Sequence, residues 1–369
     1  VFDLNSGYGL LTYQGHQNNI YLNFIHLNRI VNEKNEIKAG FSFQYDQFHE
    51  KLNSEYFDRE EIVAGTYAEY TFKPSSKVGV VGGLRADYHN QYQWFYTGRL
   101  HIRYELFKRT VLRASVGNGL RTANILAEHQ SVFASSRSII IHQDGSNYGY
   151  GLRPERALNY GINLTQTFTL DYREGRVSAA FYRTQFVDQS VFDMDVSRHE
   201  VHFYNLQGQS YSNSFQVQLD YEIIPRLDVR LAYRIYDVKT SYAMALLQQP
   251  LLSRQRGFLN LAYSSRKHWK FDVTLNLQGE KRLPLSLDEH AVESSYHQSP
   301  AYALVNAQIS KNWNQKWEVY VGGENLTNYT QSSPIVSADK PYGDDFDASI
   351  IWGPIFGVKV YVGLKFKLL

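Results

Sequence analysis

The stretch VKVYVGLKFKLL, Val358 to Leu369, alternates strictly. Val358, Val360, Val362, Leu364, Phe366 and Leu368 share one parity; Lys359, Tyr361, Gly363, Lys365 and Lys367 share the other. Period-two alternation marks a β-strand with one apolar and one polar face. LDVRLAYRIY (227–236), FDVTLNLQ (271–278) and SFQVQLDYEI (214–223) repeat the pattern, with charged and amide residues filling the polar parity. Many long antiparallel strands sharing one apolar surface follow from this.

Composition narrows the class. The 369 residues carry 38 Lys+Arg and 36 Asp+Glu, a net charge of +2, which gives no reason to expect a nucleic-acid partner. There is no Cys, so thiolate metal sites, Cys nucleophiles and disulfides are excluded. No run approaches the roughly 18 apolar residues of a transmembrane helix. A mean hydropathy of −0.42 is nonetheless compatible with a transmembrane β-barrel, in which only every second residue meets lipid.

Breaks in the alternation divide the chain into roughly fifteen strands of about 10–15 residues, longer than the soluble mode of about 5–6. Short connections (NEKN 32–35, KPSSK 73–77, LFKR 106–109, YREG 172–175, IIPR 223–226, SSRK 264–267, NWNQ 312–315) alternate with long ones near 47–58, 119–153, 188–207, 242–253, 282–299 and 329–346. A tight turn at Asn90–Gln93 is the exception. Turns at one end and long loops at the other are the pattern of an outer-membrane barrel. Aromatic clusters at strand ends (Tyr92, Trp94, Phe95 and Tyr96; Trp313 and Trp317; Tyr211 and Tyr221) suit interfacial girdles. The whole of 1–369 reads as one domain: an all-β, transmembrane antiparallel barrel.

Several motifs then carry a family likeness. SVGNGLRTANI (115–125), GLRPERALNYGINL (151–164), VGGENLTNY (321–329) and IIWGPIFGVKVYVGLKFKL (350–368) resemble, in this order, the signature boxes of TonB-dependent outer-membrane receptors. ADYHN (86–90), FYRTQF (181–186) and FYNLQG (203–208) are similar to receptors of Bacteroidetes-type bacteria. The resemblance implies a bacterial outer-membrane location and TonB-dependent import of a scarce, bulky nutrient such as a siderophore, haem or cobalamin. The implied partners are the TonB–ExbB–ExbD system acting through a plug, outer-membrane lipids, the small-molecule nutrient and a surface lipoprotein. Nothing in the chain matches the plug. The expectation is therefore the C-terminal 15–16 strands of a 22-stranded barrel, residues 1–13 supplying the sixteenth, with plug and first strands upstream of Val1. A sixteen-stranded passive porin and a transport-inactive scaffolding barrel are the alternatives.

The resemblance directs attention to the 119–153 loop, where Arg121, His129, His142, Tyr148 and Tyr150 are candidate ligand contacts. A loop His suits haem iron; a solvated polar residue is the plain alternative. Arg153, Pro154, Glu155, Asn325, Gly353 and Pro354 are read as structural motif positions. DKPYGDDFD (339–347) has loop carboxylates for calcium but lacks EF-hand spacing; no resident cofactor is assigned. SLDEH (286–290) and SYHQS (295–299) hold hydrolase residue types, but no spacing forces a triad, and the chain is not read as an enzyme.

Overall fold

The computed structural model describes residues 2–8, 11–29, 34–145, 148–243, 245–284, 297–313 and 316–368. SLDEH and the first two residues of SYHQS lie outside them, as do parts of the NEKN and NWNQ turns. The strands are β1 (Phe2–Tyr8), β2 (Leu11–Arg29), β3 (Asn35–Leu52), β4 (Glu55–Tyr56), β5 (Arg59–Phe72), β6 (Val78–His89), β7 (Gln93–Phe107) and β8 (Thr110–Arg121). Then come β9 (Ser138–Ile141), β10 (Glu155–Leu170), β11 (Arg173–Asp188), β12 (Ser190–Asp193), β13 (Glu200–Asn205), β14 (Ser210–Ile224) and β15 (Leu227–Ser241). The last are β16 (Leu246–Gln248), β17 (Gln255–Ser264), β18 (Trp269–Gln278), β19 (Tyr302–Trp313), β20 (Trp317–Glu324) and β21 (Lys359–Phe366).

Eighteen of these form one sheet; β9, β12 and β13 form a second. Setting aside the short flaps β4 and β16, sixteen strands make a meander in which each wall strand pairs antiparallel with the next. This is the wall of a transmembrane barrel. β1 supplies the sixteenth strand, pairing with Leu11–Gln17 alone. Among the described residues β1 and β21 pair only with β2 and β20, so the wall is an open arc. A sixteen-stranded porin would need β1 joined to β21.

Directly paired residues share a face, so the registers trace each surface around the arc. One row runs Leu219, Leu231, Leu259, Leu275 and Val305 across β14 to β19; another runs Ile309, Val321 and Val362 across β19 to β21. No member of either row is buried: Leu219, Leu259, Leu275 and Val305 are half-buried, and Ile309, Val321, Leu231 (49%) and Val362 (77%) are exposed. The opposite parity buries polar groups such as Ser42, Asp46, Asp87 and Ser310. A soluble sheet does the reverse. Val229, Leu231, Val360 and Leu364 therefore face outward and Arg230, Lys359 and Lys365 face the lumen, as alternation requires. Trp313 opposes Trp317, and Trp317 packs on Phe366 with the rings tilted and 4.4 Å apart, forming a girdle at the short-turn end.

Three sequence expectations shift. The turn expected at 172–175 is tighter and earlier: Asp171 and Tyr172 both have positive φ (50° and 59°), a two-residue turn matched to strand twist. β3 runs to Leu52, well into the expected 47–58 loop, because Tyr13 to Arg29 of β2 pair along its whole length. Tyr92 and Phe95 are not girdle residues. Phe95 has the parity opposite to Trp94 and Tyr96, and both rings pack on buried His89, at 4.6 Å and 6.0 Å.

Candidate functional site: the cap of outer loops

The fully buried apolar residues lie almost entirely at the long-loop end. Ile125, Leu126, Val132, Phe133, Leu152, Met194, Val201, Phe203, Leu283, Ile350 and Trp352 form one core with Tyr13 and Leu52 at the wall's rim. Residues from loops after β8, β11, β18 and β20 thus fold together into a cap. Its scaffold is the small sheet, in which β13 pairs parallel with β9 and antiparallel with β12. Val201 and Phe203 point into the core; His202 and Tyr204 occupy the other face.

Buried ion pairs fasten the cap. Arg137, 2% exposed, donates Nε to Asp347 at 2.8 Å and Nη1 to the carbonyls of Ser197 (2.8 Å) and Glu200 (3.3 Å). Arg282 forms a bidentate pair with Asp195 at 2.8 and 2.9 Å. At the rim, Glu50 accepts from Tyr13 Oη and Tyr150 Oη, both at 2.5 Å, and from Arg59. Arg59 also bonds Glu61 at 3.0 Å and Asn124, and Thr122 donates to Glu61 at 2.9 Å. The loop after β8 is thereby tied to β2, β3 and β5.

The candidate contacts divide between these supports. Arg121 bridges Glu155 (2.6 Å) and Glu128 (2.9 Å). His129 donates Nδ1–H to the Ile125 carbonyl at 2.9 Å and stacks on Phe192 at 4.2 Å; burial holds its pKa below the usual histidine value. His142 is exposed and meets His202, Nε2 to Nδ1, at 2.8 Å, while His202 Nε2 reaches Glu200 at 3.1 Å. His129 packs on Phe203 and His142 on His202 and Tyr204, so the two histidines sit on opposite faces of β13 and do not converge. Tyr148 packs on Tyr92 at 4.7 Å, and burial pushes the Tyr92 phenol up to about 12. Tyr150 is buried with φ of 56°, followed by Gly151 at 66°. This left-handed pair turns the loop back so that the Tyr150 hydroxyl reaches Glu50.

The motif positions act as struts. Arg153 pairs with Asp188 at 3.1 Å, Pro154 leads into β10, and Glu155 accepts from Arg121 and the Ser190 N–H. Asn325 donates to the carbonyls of Tyr329 (2.8 Å) and Phe356 (3.0 Å). Gln331 accepts from the Gly353 N–H at 2.9 Å and donates its own N–H to the Pro354 carbonyl at 2.7 Å. In the acidic run, Asp347 is committed to Arg137 and Asp345 lies 3.4 Å from Arg198. Among the described residues no three His or carboxylate side chains gather as a metal site. Sequence reasoning missed Glu50, Arg59, Arg137, Asp195 and Arg282. Arg137 had a signal: it is the one cation inside SVFASSRSIII (131–141).

The model of the TonB-dependent receptor-like β-barrel matches residues 1–326. The chain belongs to this family. Its barrel is an outer-membrane structure. Among solved structures, the chain is similar to the siderophore receptor PiuA from Acinetobacter baumannii (12% identity, TM-score 0.65, covering 96% of this chain and 56% of that one). It is similar to the copper transporter OprC (12%, 0.69, 97% and 57%) and to a mutant of the ferric enterobactin receptor PfeA of Pseudomonas aeruginosa bound to enterobactin (12%, 0.64, 96% and 54%). The chain spans a little over half the length of these receptors, and the likeness shows the shared fold. No curated protein matches.

Proposed function

We propose that this chain is the greater part of the barrel of an outer-membrane receptor that imports a scarce nutrient by TonB-dependent active transport. The observation that carries the reading is the cap. Its loops are not loose fringes but one packed body with buried ion pairs, set over the outer end of a wall of the receptor family. Such a body can present rigid contacts to a ligand before it enters the lumen. Open strand edges in hydrocarbon cost several kcal/mol per unsatisfied group, so the working receptor closes the arc with further strands. TonB, with ExbB and ExbD, would act through a plug seated in that lumen.

Uptake of labelled ferric siderophores, haem, cobalamin and copper by cells with and without TonB tests the proposal. Loss of uptake without TonB supports it. Uptake that persists without TonB would identify a passive pore, and no uptake of any cargo would favour a scaffold. Deleting Glu128–Gly145 removes Val132, Phe133 and Arg137 from the cap. It should abolish uptake while leaving a heat-resistant barrel, which ties transport to the cap.

A further inference from the structure

The β7–β8 ladder stops at Arg99–Gly117, well below the rim. Both strands run on, β7 to Gln93 beside β6 and β8 to Arg121 beside β10. Among the described residues no ladder pair joins 93–98 to 118–121, so the wall forks there. Asn118 closes the base of the fork. The Gly98 N–H donates to its Oδ1 at 2.7 Å, and its Nδ2 donates to the Tyr96 carbonyl at 2.9 Å. One side chain thus makes bonds that a neighbouring strand would otherwise supply. The chain past β8 leaves on the lumen side, where Thr122 donates to Glu61 and Asn124 accepts from Arg59, both on β5. The β6–β7 hairpin is bypassed, and Tyr92 at its tip packs on Tyr148 instead. Tyr88, Trp94 and Tyr96 stand exposed and in mutual contact beside the fork, which therefore opens at the level of the outer aromatic girdle. Strand edges left unpaired at a membrane surface are the kind of local conflict that functional sites retain.

A cavity lies on each side of the wall at the base of this fork. The outer one, about 660 Å³, is lined by Tyr70, Gly82, Leu100, Val116 and Leu158. Tyr70, Gly82, Leu100 and Val116 form one directly paired row on the outward parity, and the glycine within it leaves the hollow. The inner one, about 370 Å³, is lined by Tyr21, Asn23, Tyr67 and Thr97. Both volumes fall within the range of about 300–1,000 Å³ typical of small-molecule sites. Gly83, Gly98 and Asn118 line both cavities, so a single layer of backbone separates them. Arg85 and Arg99 on the inner side already pair with Asp87 and Glu69, so that side offers hydroxyl and amide groups rather than free charge. An apolar hollow facing hydrocarbon and a polar hollow facing the lumen meet where the wall parts. We propose that the fork is a lateral port, and that the receptor takes an amphiphilic ligand whose polar head stays in the lumen while its alkyl tail passes into the outer hollow. The inference rests on the import reading above and names its substrate class.

The test uses the intact purified receptor in lipid nanodiscs and a neutral amphiphile, N-tetradecanoyl serinamide, carrying a photoreactive diazirine on either its head or its tail. After illumination the labelled residues are mapped by mass spectrometry. The tail probe should mark Leu100 and Val116, the head probe Tyr21 and Tyr67, and excess unlabelled amphiphile should suppress both. Gly82→Leu fills the outer hollow, and its first added carbon meets only Leu100, at 4.0 Å. It should cut tail labelling about tenfold, whereas Ala307→Leu, outward on β19, should not. Should Gly82→Leu lose its heat-resistant band, Ala68→Leu fills the same hollow and carries the comparison. Tail labelling without head labelling in the lumen would mean that an ordinary membrane lipid occupies the hollow, and the port would be refuted. Labelling at neither place, or labelling unaltered by the filling variants, likewise overturns the proposal. Uptake of the same amphiphile by cells with and without TonB separates the two readings. Labelling as expected with uptake indifferent to TonB leaves the port standing while the import reading falls.

Discussion

Leu231 of the wall and Phe203 of the cap are both large apolar side chains on β-strands, yet one is 49% exposed and the other 1%. The wall turns its apolar parity outward, and its strands are held by ladders from neighbour to neighbour, with lipid as the solvent for Leu231. The cap hides its apolar residues in a core and pins them with buried charge pairs, as a water-soluble domain does. One chain thus follows two solvation rules, and the boundary lies at the rim where Tyr13 and Leu52 enter the cap core. Damage to one region should therefore leave the other standing.

The largest separable effect is expected at Arg137. Arg137→Met strands Asp347 in the interior, and breaking a buried pair costs about 3–5 kcal/mol. Limited proteolysis should then cut the cap, while the wall keeps its heat-resistant band on gels. Arg137→Met with Asp347→Leu should recover much of the loss. If the wall also melts, the two regions are one cooperative unit.

Next comes the outward face. Leu231→Lys places a charge in lipid at about 2–4 kcal/mol, whereas lumen changes cost far less. Its yield of folded barrel should fall well below that of Lys365→Val. Equal yields would reverse the assignment of faces. A smaller effect is expected at the rim: Tyr150→Phe removes one of three donors to Glu50, at about 1–2 kcal/mol, and should loosen the loop after β8 without changing barrel yield.

The smallest effect is a pH dependence of the cap. Burial depresses the pKa of His129 in the folded state. The unfolded chain therefore takes up the proton first as pH falls, so this contribution to stability is full above the ordinary histidine value of about 6.5 and is lost on acidification. Protease cutting of the cap should rise between neutral and mildly acid pH, and His129→Gln should flatten that rise. A rise undiminished by the substitution would place the titrating group elsewhere.

The same division explains what could be read from the residues. Alternations such as 227–236 record a single requirement, outward apolar and inward polar, which local sequence carries in full. The misreading of Phe95 as a girdle ring came from treating an aromatic cluster as one surface where parity divides it. In the cap the information is non-local. β9 and β13 join segments some sixty residues apart, with Ile140 opposite His202, and the Arg137–Asp347 pair spans 210 positions. Neither contact leaves a local period. His129 and His142 looked paired along the chain, yet β13 separates them because alternate residues of a strand face opposite ways. That Arg234 lies directly opposite Arg256 became visible only once register placed β15 beside β17.

The wall's inverted faces can be measured most directly by a spin-label scan of β15 in membranes. The chain has no cysteine, so each single-cysteine variant from Leu227 to Ser241 labels at one site. Odd positions through Leu231 and Ile235 should show high access to lipid-soluble oxygen and low access to a water-soluble nickel reagent, and even positions through Arg230 and Arg234 the opposite. A profile without period two, or one with the even positions in lipid, would contradict the account.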